Sequence, residues 1–254
     1  IVFNEMPEKF DMILSSDNPS YKNLPGIWIL LGLGVWIGHF FYWGFNQYIT
    51  QRALGAKSIK EAQKGVMFAA YLKLLMPIVI VLPGICAAVL FPVLEKSDQA
   101  YPTMMSLLPN GLLGLTFAAL IAAIVSSLAS MSNSISTIFT MDIYRYFKGS
   151  DLEQAHLISV GRWTVIISVA IATMIAKPLL GSFDSIFQYI QNFTGYFSPG
   201  IVVIFLVALF WKKATSLSVI VAAAISLFAS ILISGNFPEL PFIHRMTIVF
   251  ILSA

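Results

Sequence analysis

The sequence is poor in the residues on which soluble and enzymatic domains depend. Charged residues make up only 11% of the 254, whereas an ordinary soluble domain carries about a quarter. The single cysteine, Cys86, lies inside an apolar run, which excludes a disulfide framework and a cysteine metal site. The sequence also has no phosphate-cradling glycine loop, no metal-spaced His/Cys cluster and no basic patch of nucleic-acid size. These absences argue against a soluble domain and against ATP-driven transport within this stretch.

Apolar residues are abundant instead, at 58% of the chain with a mean hydropathy of +0.84. A helix that spans a bilayer needs about 20 mostly apolar residues. Six stretches are long and apolar enough to span a bilayer: 26–49, 66–91, 111–141, 157–175, 186–211 and 217–233. A seventh stretch begins near Met246. We therefore predict an all-α polytopic membrane protein, with an extracellular or periplasmic loop at 1–24 and a membrane domain at 25–254. Because the last apolar run is unfinished at Ala254, we interpret the chain as an internal fragment of a longer protein.

Successive links between these stretches should lie on alternate sides of the membrane. One side then carries nine lysine and arginine residues and the other side five. The larger set comprises Arg52, Lys57, Lys60, Lys64, Arg145, Lys148, Arg162, Lys212 and Lys213, and the smaller Lys9, Lys22, Lys96, Lys177 and Arg245. Basic residues favour the cytoplasmic side of a membrane. We predict that the first stretch enters from outside, and that the protein is multi-pass in the plasma membrane, a bacterial inner membrane by preference.

Lys73 is the one charged residue inside the apolar stretch 66–91. An ammonium group at bilayer depth costs roughly 2.5–3.5 kcal/mol even on lenient insertion scales. A chain accepts this cost mainly where the charge lines a protein cavity or a solute path. The alternative is a lysine whose stem reaches to the headgroups, but Lys73 is too central to do so easily.

The first stretch carries His39, Tyr42, Trp43 and Asn46 at helical spacing, which predicts a shared face. Aromatic rings beside hydrogen-bonding groups suit a sugar-like ligand, whose C–H surface stacks while its hydroxyls bond. The alternative is an interfacial aromatic belt combined with helix packing.

The third stretch is dense in hydroxyl groups, and Ala123, Ser126 and Ser127 are spaced to share one helical face. A backbone carbonyl and two hydroxyls there are hard oxygen ligands for a cation such as Na⁺. The alternative is that these small residues serve only the close approach of membrane helices.

The fifth stretch carries Gln188 and Gln191, followed by Ser198, Pro199 and Gly200. A Ser-Pro-Gly sequence at this depth predicts a loosened helix, which is tolerated where it faces protein or a cavity. Interrupted helices build the midplane sites of secondary transporters. A proline kink without a functional role is the alternative.

Four runs of sequence resemble the sodium/solute symporter family, especially its bacterial sodium/galactose and animal sodium/glucose members. They are 42–52 (YWGFNQYITQR), 64–84 (KGVMFAAYLKLLMPIVIVLPG), 122–144 (AAIVSSLASMSNSISTIFTMDIY) and 187–200 (FQYIQNFTGYFSPG). The resemblance implies two inverted repeats of five helices. This chain would be the second repeat and the helices that follow it. The first repeat of the same polypeptide would be missing, so the fragment alone should not transport.

The resemblance also implies a role for individual residues. Ala123, Ser126 and Ser127 match the half of the sodium site that this repeat supplies. Lys73 and Gln191 match residues that hydrogen-bond sugar hydroxyls, and His39 stands where the galactose symporters have a sugar-binding asparagine. Trp43 is assigned to the same substrate site from its place on the face that it shares with His39. Tyr42 matches the aromatic residue that stacks on the sugar and closes its cytoplasmic side, and Phe187 matches an outer-gate residue.

Two positions depart from the pattern of the family. His39 replaces an asparagine that binds sugar in the galactose symporters, and imidazole differs from it in shape. Ala129 stands where members that carry two sodium ions have a threonine hydroxyl. We therefore expect one Na⁺ per cycle.

The predicted function is sodium-coupled symport of a small polar solute by alternating access, with a monosaccharide such as galactose or glucose as substrate and Na⁺ as the co-transported ion. Inositol, an amino acid, a sialic acid or another carboxylate are alternative substrates. A solute sensor or sodium-leak channel is an alternative of another class. An intramembrane hydrolase that pairs Lys73 with a serine is disfavoured, because no serine sits on an activating Gly-bounded turn. We predict that the protein is not an enzyme.

Overall fold

A computed structural model describes residues 7–11, 13–18, 21, 27–149, 151–180 and 185–254 of the chain. Over these residues every regular element is a helix and no β-strand occurs. The prediction of an all-α protein is therefore confirmed. Much of the predicted loop 1–24 lies outside the described residues, and its described part contains a short 3₁₀ helix at Pro7–Phe10.

The α-helices of the described chain are numbered here in sequence order. They are α1 Trp28–Leu31, α2 Gly34–Phe40, α3 Gln47–Leu54, α4 Ile59–Lys73, α5 Leu82–Leu90, α6 Ala100–Ser106, α7 Asn110–Thr137, α8 Arg145–Lys148, α9 Gln154–Leu180, α10 Ile186–Thr194, α11 Ser198–Phe210, α12 Ser216–Asn236 and α13 Phe242–Ser253. Wider π-helical turns occur at Phe41–Phe45, Pro77–Val81 and Ile138–Tyr144.

Within the described residues, four helical stretches are long and apolar enough to cross a membrane. They are Ile59–Leu90, Asn110–Lys148, Gln154–Ala176 and Ser216–Asn236. The pair α10 and α11, bent by 42°, makes a fifth span if it is counted as one. These five agree with five of the six stretches that the hydropathy of the sequence predicts.

The remaining predicted stretch, 26–49, is not one continuous helix. Leu33 has a φ of 53°, a left-handed conformation that separates α1 from α2. Asn46 is extended (φ −93°, ψ 116°) and separates the π-helical turn Phe41–Phe45 from α3. A tertiary contact accompanies the first break, because Gly34 lies so close to the backbone of Ile243 that a β-carbon would clash with it. Apolar composition alone could not predict these breaks.

The described chain divides into two compact units, one formed by Ile1–Gln63 with Ile186–Ala254 and the other by Lys64–Ser185. The core of the first unit joins α2, α11 and α13 through Ile37, Val202 and Met246. Partly buried side chains surround this core: Phe41, Phe45, Leu206, Phe242 and Phe250. Because α2 and α11 share this core, it holds α2 against the second helix of the broken span α10–α11.

Small residues bring α11 and α12 together in the first unit. A β-carbon on Gly200 would lie 2.5 Å from the Ser226 hydroxyl, which leaves no room for a larger side chain. Ser230 is fully buried and Ser226 is only 2% exposed. Close approach of this kind is how helices associate inside membranes.

In the second unit α7 packs against α9. A β-carbon on Gly161 of α9 would lie 2.7 Å from the hydroxyl of Ser136. The only buried residues of α7 are nevertheless Ser132 and Ser134. Much of α7 is therefore open to lipid or to other protein.

Candidate substrate and sodium sites

The aromatic residues predicted to bind substrate lie at an irregular turn in the first unit. His39 belongs to α2, and Tyr42 and Trp43 belong to the π-helical turn Phe41–Phe45; all three are exposed. The rings of Tyr42 and Trp43 meet edge to face, with centroids 5.2 Å apart and an interplanar angle of 81°. Because the turn is wide and Asn46 lies outside the helix, the α-helical spacing that predicted one shared face does not hold through this segment.

The Tyr48 hydroxyl donates a hydrogen bond to the Tyr42 hydroxyl at 2.8 Å. Their rings also pack edge to face, with centroids 6.0 Å apart. Sequence reasoning missed Tyr48, because the two tyrosines are six positions apart and the helix is interrupted between them at Asn46. The pattern of aromatic residues in 42–52 is the only signal in the sequence that could have suggested it.

Lys73 is the last residue of α4 and is exposed. The backbone tightens directly after it, where the amides of Leu74 and Leu75 bond to carbonyls three residues earlier, at 3.1 Å in both cases. Pro77, which lacks an amide hydrogen, then opens a π-helical turn. Lys73 therefore lies beside an irregular backbone inside an apolar span, a kind of position that often serves a function.

The sodium residues Ala123, Ser126 and Ser127 lie on consecutive turns of α7 and are all exposed. The backbone carbonyl of Ser126 accepts a hydrogen bond from the Ser130 hydroxyl at 3.0 Å. Further along the hydroxyl-rich stretch, Ser132, Ser134 and Thr140 are buried, whereas Asn133 and Thr137 stay exposed. The three buried hydroxyls are therefore covered by other parts of the protein, whereas the side chains of Ser126 and Ser127 are exposed.

Gln191 and Phe187 are both exposed and lie four residues apart on α10, which places them on one face. α10 ends at Thr194 and α11 begins at Ser198, with a bend of 42° between them. Pro199 occupies the first turn of α11, where its missing amide hydrogen costs nothing. The helix is interrupted near the Ser-Pro-Gly sequence as predicted, but the break lies at 195–197, and Ser198, Pro199 and Gly200 themselves form the first turn of α11.

Arg245 is a residue whose environment the sequence did not reveal. Its place directly before the apolar run 246–254 led us to assign it to a polar link. The structure starts α13 at Phe242, so Arg245 lies within the helix and is only 5% exposed. The neighbouring sequence carries no signal for this burial, because the partners of Arg245 lie 11 and 53 residues away.

The predicted site residues are distributed over both units. His39, Tyr42, Trp43, Phe187 and Gln191 belong to the first, and Lys73, Ala123, Ser126 and Ser127 to the second. Within the first unit the Tyr42 and Trp43 rings touch, and Phe187 and Gln191 share α10. Within the second, the sodium residues share α7.

Comparison with known proteins identifies the family. The profile of the sodium:solute symporter family matches residues 6–225 of the chain. The chain belongs to the sodium:solute symporter family. Together with its long apolar helices, this makes it a multi-pass membrane protein.

Several relatives match at high identity. A sodium/glucose cotransporter from Vibrio parahaemolyticus is 47% identical over 257 residues, covering 94% of this chain and 47% of the relative. A sodium/myo-inositol cotransporter 2 from Bos taurus is 37% identical over 216 residues, covering 78% of this chain and 32% of the relative. A symporter from Escherichia coli (strain K12), YidK, is 36% identical over 199 residues, covering 76% of this chain and 34% of the relative.

The chain spans about half the length of the Vibrio relative and about a third of the other two. The names of these relatives are those of transporters and not of enzymes. The family name implies coupling to sodium.

Proposed function

We propose that this chain carries one sodium half-site and most of the substrate-contacting side chains of a sodium-coupled symporter, whose substrate is a monosaccharide such as galactose or glucose. The observation that carries the proposal is the broken span α10–α11, which presents Gln191 close to the break, in a member of the sodium:solute symporter family. Interrupted helices of this kind form the substrate sites of sodium-coupled carriers.

The polar groups of the proposed substrate site suit a sugar. Gln191 offers both a donor and an acceptor, and the Lys73 ammonium offers donors only. The Tyr42 and Trp43 rings supply apolar surface for the C–H face of a pyranose, and Phe187 closes the outer side. Such a set of groups binds hydroxyls without requiring a charge on the ligand.

Sodium would bind at the exposed face of α7, where the Ala123 carbonyl and the Ser126 and Ser127 hydroxyls supply neutral oxygen ligands. A monovalent ion needs no carboxylate there. The exposure of this face supports the proposal, because further ligands have to come from a segment that packs on it. We propose that a part of the full-length protein outside this chain supplies that segment, since the chain spans about half the length of the Vibrio relative.

Coupling requires sodium to bind the outward-open state more tightly and thereby to favour substrate binding in that state. A rocking motion of the repeats then releases the sodium ion and the substrate on the cytoplasmic side. One charge moving through about 100 mV gives roughly 2.3 kcal/mol, and a tenfold sodium gradient adds about 1.4 kcal/mol. Together these could sustain an accumulation of several hundredfold.

A second candidate substrate is myo-inositol, because relatives at 35–37% identity are named sodium/myo-inositol cotransporters. Inositol resembles a pyranose in carrying hydroxyls around a six-membered ring. His39, which replaces the asparagine of the galactose symporters, is the position that we expect to discriminate between these substrates.

Solute counterflow identifies the substrate. Full-length protein is reconstituted in liposomes loaded with unlabelled galactose, glucose or myo-inositol, and uptake of the same labelled solute is measured in sodium and in potassium. We expect sodium-dependent exchange with a monosaccharide, and its loss in Gln191→Ala. Exchange with inositol alone would reassign the substrate, and His39→Asn should then restore monosaccharide exchange. Binding without exchange would indicate a sensor, and sodium flux without any solute would indicate a leak channel.

A further inference from the structure

The guanidinium of Arg245 is buried at the break between α10 and α11. Its Nη1 donates a hydrogen bond to the Ser234 hydroxyl at 3.0 Å. Its Nη2 donates to the side-chain oxygen of Asn192 and, at 3.4 Å, to the backbone carbonyl of the same residue. The guanidinium carbon also lies 4.5 Å from the centre of the Tyr196 ring. One side chain of α13 thus contacts three positions on α12 and on the broken span.

These contacts form part of a larger polar network. The hydroxyls of Tyr196 and Ser234 lie 2.6 Å apart, and the Ser230 hydroxyl donates to the Tyr196 carbonyl at 3.1 Å. Tyr196 lies inside the break, two residues after the end of α10. The network therefore ties the interrupted backbone to α12 and α13.

Arg245 is unusual in that its partners within the described chain are all uncharged, and its Nε is buried without a hydrogen-bond partner. A buried cation without a carboxylate is costly and is retained where it serves a purpose. One compensation is the end of α10, since the last four carbonyls of a helix lack intrahelical partners and carry partial negative charge. Asn192 contributes one of these carbonyls.

We propose that Arg245 is a positioning residue that caps the carboxyl end of α10 and thereby fixes the direction in which Gln191 is presented. Asn192, which Arg245 holds through both its side chain and its backbone, is the next residue along the chain from Gln191. The Gln191 carbonyl accepts the Gly195 amide at 2.9 Å, so the last turn around Gln191 ends directly at the break. Nη2 bonds to both oxygens of Asn192 while Nη1 bonds to the Ser234 hydroxyl, and the single nitrogen of a lysine ammonium would not reproduce this two-nitrogen geometry. The role in transport rests on the proposed function, whereas the fixing of the break does not.

The transport test compares Arg245→Lys, Asn192→Ala and the double variant in full-length protein in liposomes. We expect each single variant to raise the KM for the transported sugar about tenfold, as the loss of a hydrogen bond to a charged group would. Turnover and the half-saturating sodium concentration should change less than twofold. The double variant should be no worse than either single one, because both remove the same contact.

Matched controls are Arg162→Lys, at an exposed arginine of α9, and Asn236→Ala, whose amide bonds only to its own helix at 2.8 Å. Neither should alter KM. The proposal is overturned if the single variants leave KM unchanged, if their effects simply add, or if they lower turnover and thermal stability without affecting KM.

A second measurement does not depend on transport. Spin labels are placed at Ile190→Cys on α10 and Leu209→Cys on α11, both exposed, after Cys86 and any other cysteine are replaced by serine. We expect a single narrow distance distribution that broadens in Arg245→Lys and stays narrow in Arg162→Lys. An unchanged distribution in Arg245→Lys would overturn the proposal. If the unaltered protein exchanges no sugar, the proposed function fails, and the distance distribution alone decides the role of Arg245.

Discussion

Tyr48 and Tyr42 are joined hydroxyl to hydroxyl at 2.8 Å across the break in the helix at Asn46. Tyr48 is the donor, which leaves the hydrogen of the Tyr42 hydroxyl available to another acceptor. Tyr42 is the residue that we propose to stack on the substrate and close its cytoplasmic side. The position of this gate therefore depends on a residue of α3 beyond the break.

Replacing Tyr48 by phenylalanine tests this dependence, because it removes the hydrogen bond and keeps the ring contact. The loss of one neutral hydrogen bond predicts a rise in the KM for substrate of about twofold to tenfold. Tyr21→Phe, in the predicted loop 1–24, is the control and should leave KM unchanged. Equal kinetics for Tyr48→Phe and the unaltered protein would show that Tyr48 does not position the gate.

The sodium site predicts separate effects of Ser126→Ala and Ser127→Ala on the sodium dependence of uptake. Each change removes a hydroxyl ligand, so the half-saturating sodium concentration should rise about tenfold. The control is Ser159→Ala, because this exposed hydroxyl donates only to the Ala155 carbonyl of its own helix, at 3.1 Å. If these serines serve only helix packing, the thermal stability of the variants would fall while the half-saturating sodium concentration stayed constant.

The sodium stoichiometry follows from Ala129, which offers no hydroxyl for a second ion. Initial rates of uptake measured against sodium concentration should give a Hill coefficient near one. A coefficient near two would contradict this prediction and would require a second sodium site elsewhere in the protein.

Lys73 should contribute to substrate binding and not to sodium binding. Lys73→Met removes a charged donor and is expected to raise the KM for sugar at least tenfold, with sodium half-saturation little changed. Lys60→Met is a matched control on the same helix, because Lys60 is also exposed and lies near the other end of α4. Loss of affinity in both variants alike would indicate a general effect of charge and not a contact at Lys73.

Gly200→Ala should destabilise the protein through the contact of α11 with α12. The added β-carbon would lie 2.5 Å from the Ser226 hydroxyl, and overpacking of this kind costs about 1–3 kcal/mol. The control is Gly235→Ala on α12, because a β-carbon there meets nothing within 4 Å and should leave the Tm in detergent unchanged. Adding Ser226→Gly to Gly200→Ala should restore much of the lost Tm, and a lack of rescue would place the cause elsewhere.

The sequence predicted the long spans well, because continuous apolar runs decide whether a helix crosses a bilayer. It also predicted an interrupted helix near the Ser-Pro-Gly sequence, since proline and glycine act on a helix through local chemistry, although the break itself lies at 195–197, just before Ser198. The π-helical turn at Tyr42 and the left-handed Leu33 were not predicted, because contacts such as Gly34 on Ile243 lie far apart in sequence. The burial of Arg245 was missed for the same reason: its partners are 11 and 53 residues away.

The central claim is that sodium drives the uptake of a sugar against its gradient. The most direct measurement is the steady-state accumulation of labelled galactose or glucose by liposomes that contain full-length protein, with an inward sodium gradient and a potential that is negative inside. The account predicts accumulation well above equilibrium, collapse when a sodium ionophore is added, and none with potassium in place of sodium. Equilibration without accumulation under the same gradient would contradict it.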